Sequence, residues 1–398
     1  AAEIQRSILD RAQPWMKFSD DQLWEMMFGH TITRSWMVWS DGFCPDCTGE
    51  TPMYTWEIAP FAIPWKVRCP HCAELFPKND FHAYYRSALD GQGVFDPGRG
   101  DRALLFNAEH PEPDDPRHGF GVDDGEGYVE NDRRWRFIGA YLVYGQWKQL
   151  ILGGINHLSA AYVVSGEGSY AHKAGVLLDR VADLYPSFDF EKEGLAYERG
   201  HSTGYVSTWH DACEETRELA EAYDRIFAPL VEDGDLVAFL AGKAADWGLD
   251  NPKTNAADIQ RNIELGILRD ALENPHKVHS NYPRQEHTLA TIHTVLGWPH
   301  NRDQVYALLA DILKTATAVD GVTGEKGIAG YGSIGPRTAA QILGKYCRLD
   351  SGFLADMLQR HPRLYQMYRF HVDTRCLWKY YPNEGDSGGF ARRETPYA

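Results

Sequence analysis

Apolar residues recur at helical spacing through most of the chain beyond residue 136. Ala174, Leu177, Leu178, Val181 and Leu184 follow the i, i+3, i+4, i+7 pattern. So do Thr216, Leu219, Ala220, Tyr223, Ile226 and Phe227, and again Val305, Leu308, Leu309, Ile312 and Leu313. Gly and Pro punctuate these stretches at Gly166-Glu167-Gly168, Pro186, Pro229, Asn251-Pro252, Asn274-Pro275 and Pro299. Strand alternation of useful length is missing from this region. The pattern predicts an all-α fold of stacked antiparallel helix pairs, each with one apolar stripe, as an α-solenoid or a closed α/α toroid. The pairs are too divergent to give a fixed period. Four segments follow: a helical segment over 1–40, a cysteine-bearing segment over 41–82, a loop-rich linker and cleft edge over 83–135, and the helical domain over 136–398. In the first, Asp20-Asp21-Gln22-Leu23-Trp24 reads as a helix started by an Asp cap. In the third, Asp96-Pro97-Gly98 and Pro111-Glu112-Pro113 are loop signals.

The cysteines change the picture most. Cys44-Pro45-Asp46-Cys47 and Cys69-Pro70-His71-Cys72 lie 21 residues apart. Two CxxC knuckles at this distance are the signature of a tetrahedral thiolate site, so structural Zn2+ is expected on Cys44, Cys47, Cys69 and Cys72. Four thiolates leave no open coordination position, which argues against catalytic zinc. His71 sits inside a knuckle and is not needed as a ligand. The remaining cysteines, Cys213, Cys347 and Cys376, are scattered, and an odd total of seven disfavours a full disulfide framework.

Charge narrows the partners. The formal net charge is −16, which argues against nucleic acid, whose binding rests on neutralising phosphates. No apolar run approaches the ~20 residues of a membrane span. Aromatic content is 13%, with 12 Trp and 21 Tyr. That excess suits a large core or a carbohydrate cleft, since sugar rings stack on aromatic faces.

Candidate chemistry is densest between His276 and His287. This stretch carries His279, Asn281, Tyr282, Arg284, Glu286 and His287 between helical segments. Asn281 reads either as part of a site or as a turn residue with Glu286 in the first helical turn. A second polar-aromatic cluster, His201, Tyr205, Trp209 and His210, lies at a helix start. It reads as a sugar subsite or as a capped helix. A third feature is the Gly-rich stretch with Glu325, Lys326 and Tyr331.

Several motifs together resemble the heparinase II/III-like polysaccharide lyases, in particular bacterial members with a cysteine-rich N-terminal segment. They are Lys66-Val67-Arg68-Cys69-Pro70-His71-Cys72, Phe76-Pro77-Lys78-Asn79-Asp80-Phe81, Leu158-Ser159-Ala160-Ala161-Tyr162 with Ser169-Tyr170-Ala171, Glu221-Ala222-Tyr223-Asp224, and Asp320 to Tyr331. The resemblance implies an incomplete (α/α) toroid with a small zinc-ribbon-like N-terminal segment. It implies cleavage of an acidic, uronic-acid-containing polysaccharide by β-elimination, in a periplasmic or secreted bacterial protein. In that family an Asn, often followed by His, precedes a catalytic Tyr by a few dozen residues; here Asn281 precedes Tyr331 by 50 positions, and Tyr282 stands where His is often found. Many members also carry a C-terminal β-sandwich that supplies another His; the 398 residues are expected to end before such a domain, as a fragment or a toroid-only relative would.

The chemistry fits those residue types. Removing the C5 proton of a uronate builds charge on its carboxylate, which a lyase must stabilise. Asn281 can donate to that carboxylate, and His279, Arg284, His287 and Lys326 can add positive charge. Tyr331 would serve as base and acid, with a Tyr or His protonating the leaving oxygen. On this reading Asn281, Tyr331 and His287 are catalytic, and His279, Tyr282, Arg284, Glu286, Lys326, Tyr205, Trp209 and His210 bind substrate. Two other readings remain open. Glu286 and Glu325 invite a glycoside hydrolase pair, and the aromatics alone would serve a non-catalytic glycan-binding helical module.

Overall fold

The computed structural model describes residues 2–38, 42–52, 54–196, 202–316, 331–379 and 381–382. The chain is mostly helical, as the periodicity predicts. It forms two compact units, Ala1–Lys277 and Val278–Ala398. The helical stretch expected over 136–398 is therefore shared between them.

The first unit opens with α1 (Ala2–Met16) and α2 (Asp20–Trp24). The cap of α2 is Ser19, one residue before the expected Asp20. Its hydroxyl accepts from the Gln22 N–H at 3.2 Å, and the Gln22 side chain accepts from the Ser19 N–H at 2.9 Å. This reciprocal pair satisfies two orphan donors at once. Short strands follow: β1 (Arg34–Ser35), β2 (Val67–Arg68) and β3 (Leu75–Phe76). Next come α3 (Phe81–Ser87), β4 (Tyr128–Glu130) and β5 (Arg133–Trp135). β2–β3 and β4–β5 are antiparallel hairpins.

The loop-rich stretch between them is more ordered than its composition suggests. Asp123 is fully buried and accepts the N–H groups of Gly125, Gly127 and Ile138 at 2.8, 2.9 and 3.1 Å. Burial still pushes its carboxyl up to about 6. Asp123 thus anchors the loop to the first helix of the bundle rather than lining a cleft.

That helix begins as α4 (Phe137–Tyr141), every residue of which is buried. It continues as an eleven-residue π-helical stretch, Leu142–Leu152, and ends as α5 (Gly153–Ser165). Gly166, at φ 73°, closes α5 in the left-handed conformation that glycine adopts without a Cβ penalty. α6 (Gly168–Leu184) follows at once, with Ala174, Leu177, Leu178, Val181 and Leu184 all buried. α7 (Phe190–Glu193) leads into β6 (Gly194–Leu195), which pairs in parallel with β1. α8 (Trp209–Glu232) runs straight through Pro229, so the expected break there does not occur. α9 (Gly234–Asp246) and α10 (Ala256–Ile263) follow; a second π-helical stretch, Glu264–Arg269, leads to α11 (Asp270–Glu273). α5 packs on α1, α6 and α8, and α10 packs on α6 and α8. A closed ionic network ties α6 to the segment before α10. Buried Lys253 donates to Asp179 and Asp183 at 2.5 and 2.7 Å, and Asn262 donates to the same two carboxylates.

The second unit contains α12 (Arg284–Gly297), α13 (Arg302–Ala316), α14 (Ile334–Leu349), α15 (Phe353–Arg360) and α16 (Arg363–Asp373). Its core is built on Val305, Leu309, Ile312, Leu313, Ile342, Tyr346 and Phe353. Leu308, in phase with the stripe, is 36% exposed and marks the edge of that face. Among the described residues, no helix is long and apolar enough to cross a membrane.

Candidate functional site

The four knuckle cysteines converge. Their sulfurs all lie within 4.8 Å of one another, with Cys44 to Cys72 and Cys47 to Cys69 at 3.9 Å. That is far too long for a disulfide, and all four are free thiols. A tetrahedral ion with metal–sulfur bonds of about 2.3 Å requires sulfurs roughly 3.8 Å apart. The donor set therefore fits one metal ion. The two knuckles repeat one backbone design. Cys44 N–H donates to Gly49 C=O and Cys69 N–H to Glu74 C=O, both at 2.9 Å. Thr48 and Ala73, each four residues after the first cysteine of its knuckle, take left-handed φ values of 55° and 64°. His71 shares a short hydrogen bond of 2.5 Å with the Glu50 carbonyl. It braces one knuckle against the other and is not a ligand. Burial pushes the Cys72 thiol up to about 11 and raises Cys44 further. A bound cation would oppose that cost by favouring thiolates.

A second constellation gathers around Trp36. Trp209 meets its ring edge-on at 5.2 Å, Tyr144 at 6.0 Å and His210 at 6.2 Å. The Trp36 indole donates to the Tyr54 hydroxyl at 2.6 Å, and the Tyr144 hydroxyl donates to the Trp36 carbonyl at 2.8 Å. Lys148 lies over both the Trp36 and Tyr144 rings, at 5.2 and 4.8 Å, and is ion-paired with Asp211. Behind them Glu215 is buried and accepts from Ser207 at 2.5 Å. Burial pushes its carboxyl up to about 7, against the pull of Lys148 and with a push from Asp211. Two bulky residues here, Tyr54 and Trp209, have left-handed φ values of 70° and 55°. Such a backbone costs of order 1–3 kcal/mol each and tends to be retained where a side chain must be aimed. The π-helical stretch supplies Tyr144, Lys148 and Gln149 from its widened turns, a helix form that concentrates at functional sites.

This group absorbs two of the expected binders and rejects a third. Trp209 is half-buried and His210 exposed within it. Tyr205 is 1% exposed. It stacks on Tyr185 at 4.1 Å, donates to Asp270 at 2.6 Å and lies under Lys277. It is a core residue that no substrate reaches. His201 lies outside the described residues. Trp36, Tyr54, Tyr144, Lys148 and Glu215 were not singled out from the sequence. They come from three distant stretches, and only the aromatic excess hinted at them.

The Asn281 loop, in the second unit, is less uniform than its composition. The Asn281 carbonyl accepts the Arg284 N–H at 3.0 Å. Its side chain is half-buried, and among the described residues the carboxamide makes no hydrogen bond. α12 starts behind Pro283 with no side-chain cap, so Asn281 does not serve as one. Tyr282 donates to the Ile312 carbonyl at 3.1 Å, and burial pushes its phenol up to about 12. It ties the loop to α13, and its ring is half-buried. Glu286 is half-buried, and its Oε2 is buried without a hydrogen-bond partner. Burial raises its carboxyl, with His279 pulling the other way. His279 is exposed and Arg284 half-buried. His287 is 2% exposed, so its imidazole meets no bulk solvent. Lys326 and Glu325 lie outside the described residues. Tyr331 opens a turn ahead of α14, and its side chain is also outside them.

Comparison of the chain with protein-family models, with curated proteins and with solved structures finds no match.

Proposed function

We propose that the protein is a polysaccharide lyase that cleaves a uronic-acid-containing polymer by β-elimination, its helix pairs arranged as an incomplete (α/α) toroid and its cysteine cluster holding structural Zn2+. The observation that carries this reading is the uncommitted carboxamide of Asn281. A side-chain cap would spend that amide on the backbone, and it is not so spent. The N–H groups are left to bind an oxyanion.

Arg284 adds support. It occupies the first turn of α12, the end of a helix where a cation is disfavoured. On this proposal it is one of the groups of the loop that would meet a substrate carboxylate. Asn281 and Arg284 together lower the cost of the dianion that forms when the C5 proton leaves. Tyr331 takes that proton and returns one to the departing C4 oxygen. Tyr282 holds the loop in place. Buried His287 acts through its neighbours rather than on the sugar. His279 is exposed in the same loop. Zinc supplies no step of this chemistry; with four thiolate ligands it would hold the knuckles together.

Lyase action leaves an unsaturated uronate with new ultraviolet absorbance. Screening alginate, glucuronan, ulvan, pectate and glycosaminoglycans for that signal tests the proposal. Asn281→Ala is expected to lower kcat by about 10²–10³, the usual loss for one oxyanion donor. Tyr331→Phe is expected to abolish the signal with the fold intact. Activity of Tyr331→Phe equal to the parent protein would remove it from the mechanism.

A second reading, glycan binding without catalysis, is favoured by the Trp36 constellation, which offers aromatic faces irrespective of the second unit. It predicts binding to the same polymers and no absorbance change.

A further inference from the structure

The aromatic constellation of the first unit borders a cleft of about 190 Å³. Its wall residues include Trp36, Val38, Tyr54, Trp56, Ile58 and Tyr144. We propose that this cleft is a binding subsite for a single uncharged sugar ring, and that the thiolate metal centre holds its two walls in register. The subsite rests on the reading that the protein handles polysaccharide, and not on the lyase chemistry of the second unit.

The class of ligand follows from the lining. Among the described residues no charged side chain lines the cleft. The nearest cation, Lys148, is already ion-paired with Asp211 and seated over aromatic rings. Tyr144 is held well above the ordinary phenol range by burial, with Tyr54 and Asp211 adding to it, so it stays neutral. Among the described lining residues a uronate brought here would meet no positive charge. A neutral hexose would meet the exposed ring of Tyr54 and the half-buried ring of Tyr144, with Trp36 and Trp56 buried beneath them, so that an apolar pyranose face has aromatic carbon to pack on. Tyr54 is the exposed member, 61% accessible, aimed by its left-handed backbone and by the Trp36 indole. The polymer is thus expected to carry neutral sugar as well as uronate.

The link to the metal follows from chain connectivity. One wall is formed by Trp36, Met37 and Val38, the other by Tyr54, Trp56 and Ile58. The chain between them carries Cys44 and Cys47. The second pair is attached to the far wall as well, because Glu57 and Arg68 exchange both backbone hydrogen bonds, at 3.0 and 2.9 Å, next to Cys69. Val38, Cys44, Trp56 and Cys69 share one buried core. A metal ion joining Cys44 and Cys47 to Cys69 and Cys72 therefore closes the loop from which both walls rise.

Titration of the full chain, followed by tryptophan fluorescence and calorimetry, tests both halves. The probes are neutral gluco- and manno-oligosaccharides and, in parallel, oligouronates. Tyr54→Gly removes the exposed ring and relaxes the left-handed backbone. We expect it to weaken neutral-oligosaccharide binding at least tenfold with the unfolding midpoint unchanged or raised. Neutral sugars that fail to bind the parent protein, or that bind Tyr54→Gly equally well, overturn the subsite. Chelation of the metal is read by binding and far-UV circular dichroism together. Lost binding with the helical signal kept is expected. Binding kept without metal overturns the link, and so does loss of the helical signal, because the metal would then hold the whole unit. Failure of the lyase reading shows separately, as missing absorbance with sugar binding intact.

Discussion

The cysteine segment and the Asn281 loop are both short stretches crowded with chemically active side chains, and the fold treats them in opposite ways. In the cysteine segment all four reactive groups meet at one point, within 4.8 Å. In the Asn281 loop they disperse. Tyr282 is spent on a carbonyl, His287 is buried, His279 is exposed, and Asn281 keeps its amide uncommitted. The difference lies in what fixes each geometry. A CxxC turn is a local device whose spacing alone brings two sulfurs together. A loop before a helix is shaped by whatever its neighbours demand, and there the core of the second unit takes the larger side chains first. Density of chemistry along a sequence marks a site only when the local backbone can aim it.

Breaking the tighter cluster should have the largest effect. Cys69→Ala removes one of four convergent thiols, and structural tetrathiolate zinc sites are commonly worth about 10 kcal/mol or more. Elemental analysis is expected to fall from about one metal per chain toward zero, with a lower unfolding midpoint for the first unit; unchanged metal content would refute the tetrathiolate assignment. The Asn281→Ala loss of catalysis comes next, and it should leave both the metal and the midpoint alone.

A third effect comes from pH. Burial holds the Glu215 carboxyl at about 7 in the folded chain, against 4.5 for a solvated glutamate. The folded state then binds more protons than the unfolded one between these values. Stability should therefore fall as pH rises from about 4.5 to about 7 and level off above, by roughly 3 kcal/mol in all. Glu215→Gln is expected to flatten that slope in urea titrations at several pH values; an unaltered slope would place the titration elsewhere.

The smallest effect sharpens the comparison. Tyr282→Phe deletes one hydrogen bond to a backbone carbonyl and should cost about 1 kcal/mol in the second unit. Activity should persist, reduced modestly. A loss as deep as that of Asn281→Ala would mean that Tyr282 touches the substrate after all.

Much of the helical fold could be read from the chain. The stripes at 174–184 and 305–313 lie on α6 and α13 because burial of one face imposes the 3.6 period directly. The knuckles were legible for the same local reason. Three features were not. Pro229 reads as a break, yet α8 passes through it, since tertiary packing outweighs one missing N–H. Asp123 reads as a solvated loop residue because three converging N–H donors cannot be seen from spacing. The Trp36 constellation draws on residues more than a hundred positions apart, and no window on the sequence contains it. Of the candidate site, the cysteine cluster was legible, while the commitments of Tyr205, Tyr282 and His287 became visible only with the surrounding structure.

The π-helical stretch Leu142–Leu152 carries a consequence for sequence change. Each of its turns holds one residue more than an α-turn closes over, so it is the one place in that long helix where length and phase are uncoupled. Deleting a single residue there lets the stretch revert to ordinary helix. α4 and α5 would then keep their own hydrogen bonding, while Tyr144, Lys148 and Gln149 swing to a different azimuth. Insertions and deletions within these eleven positions are therefore a dial on the cleft wall, and a lineage can retune what the cleft accepts without touching the helices on either side.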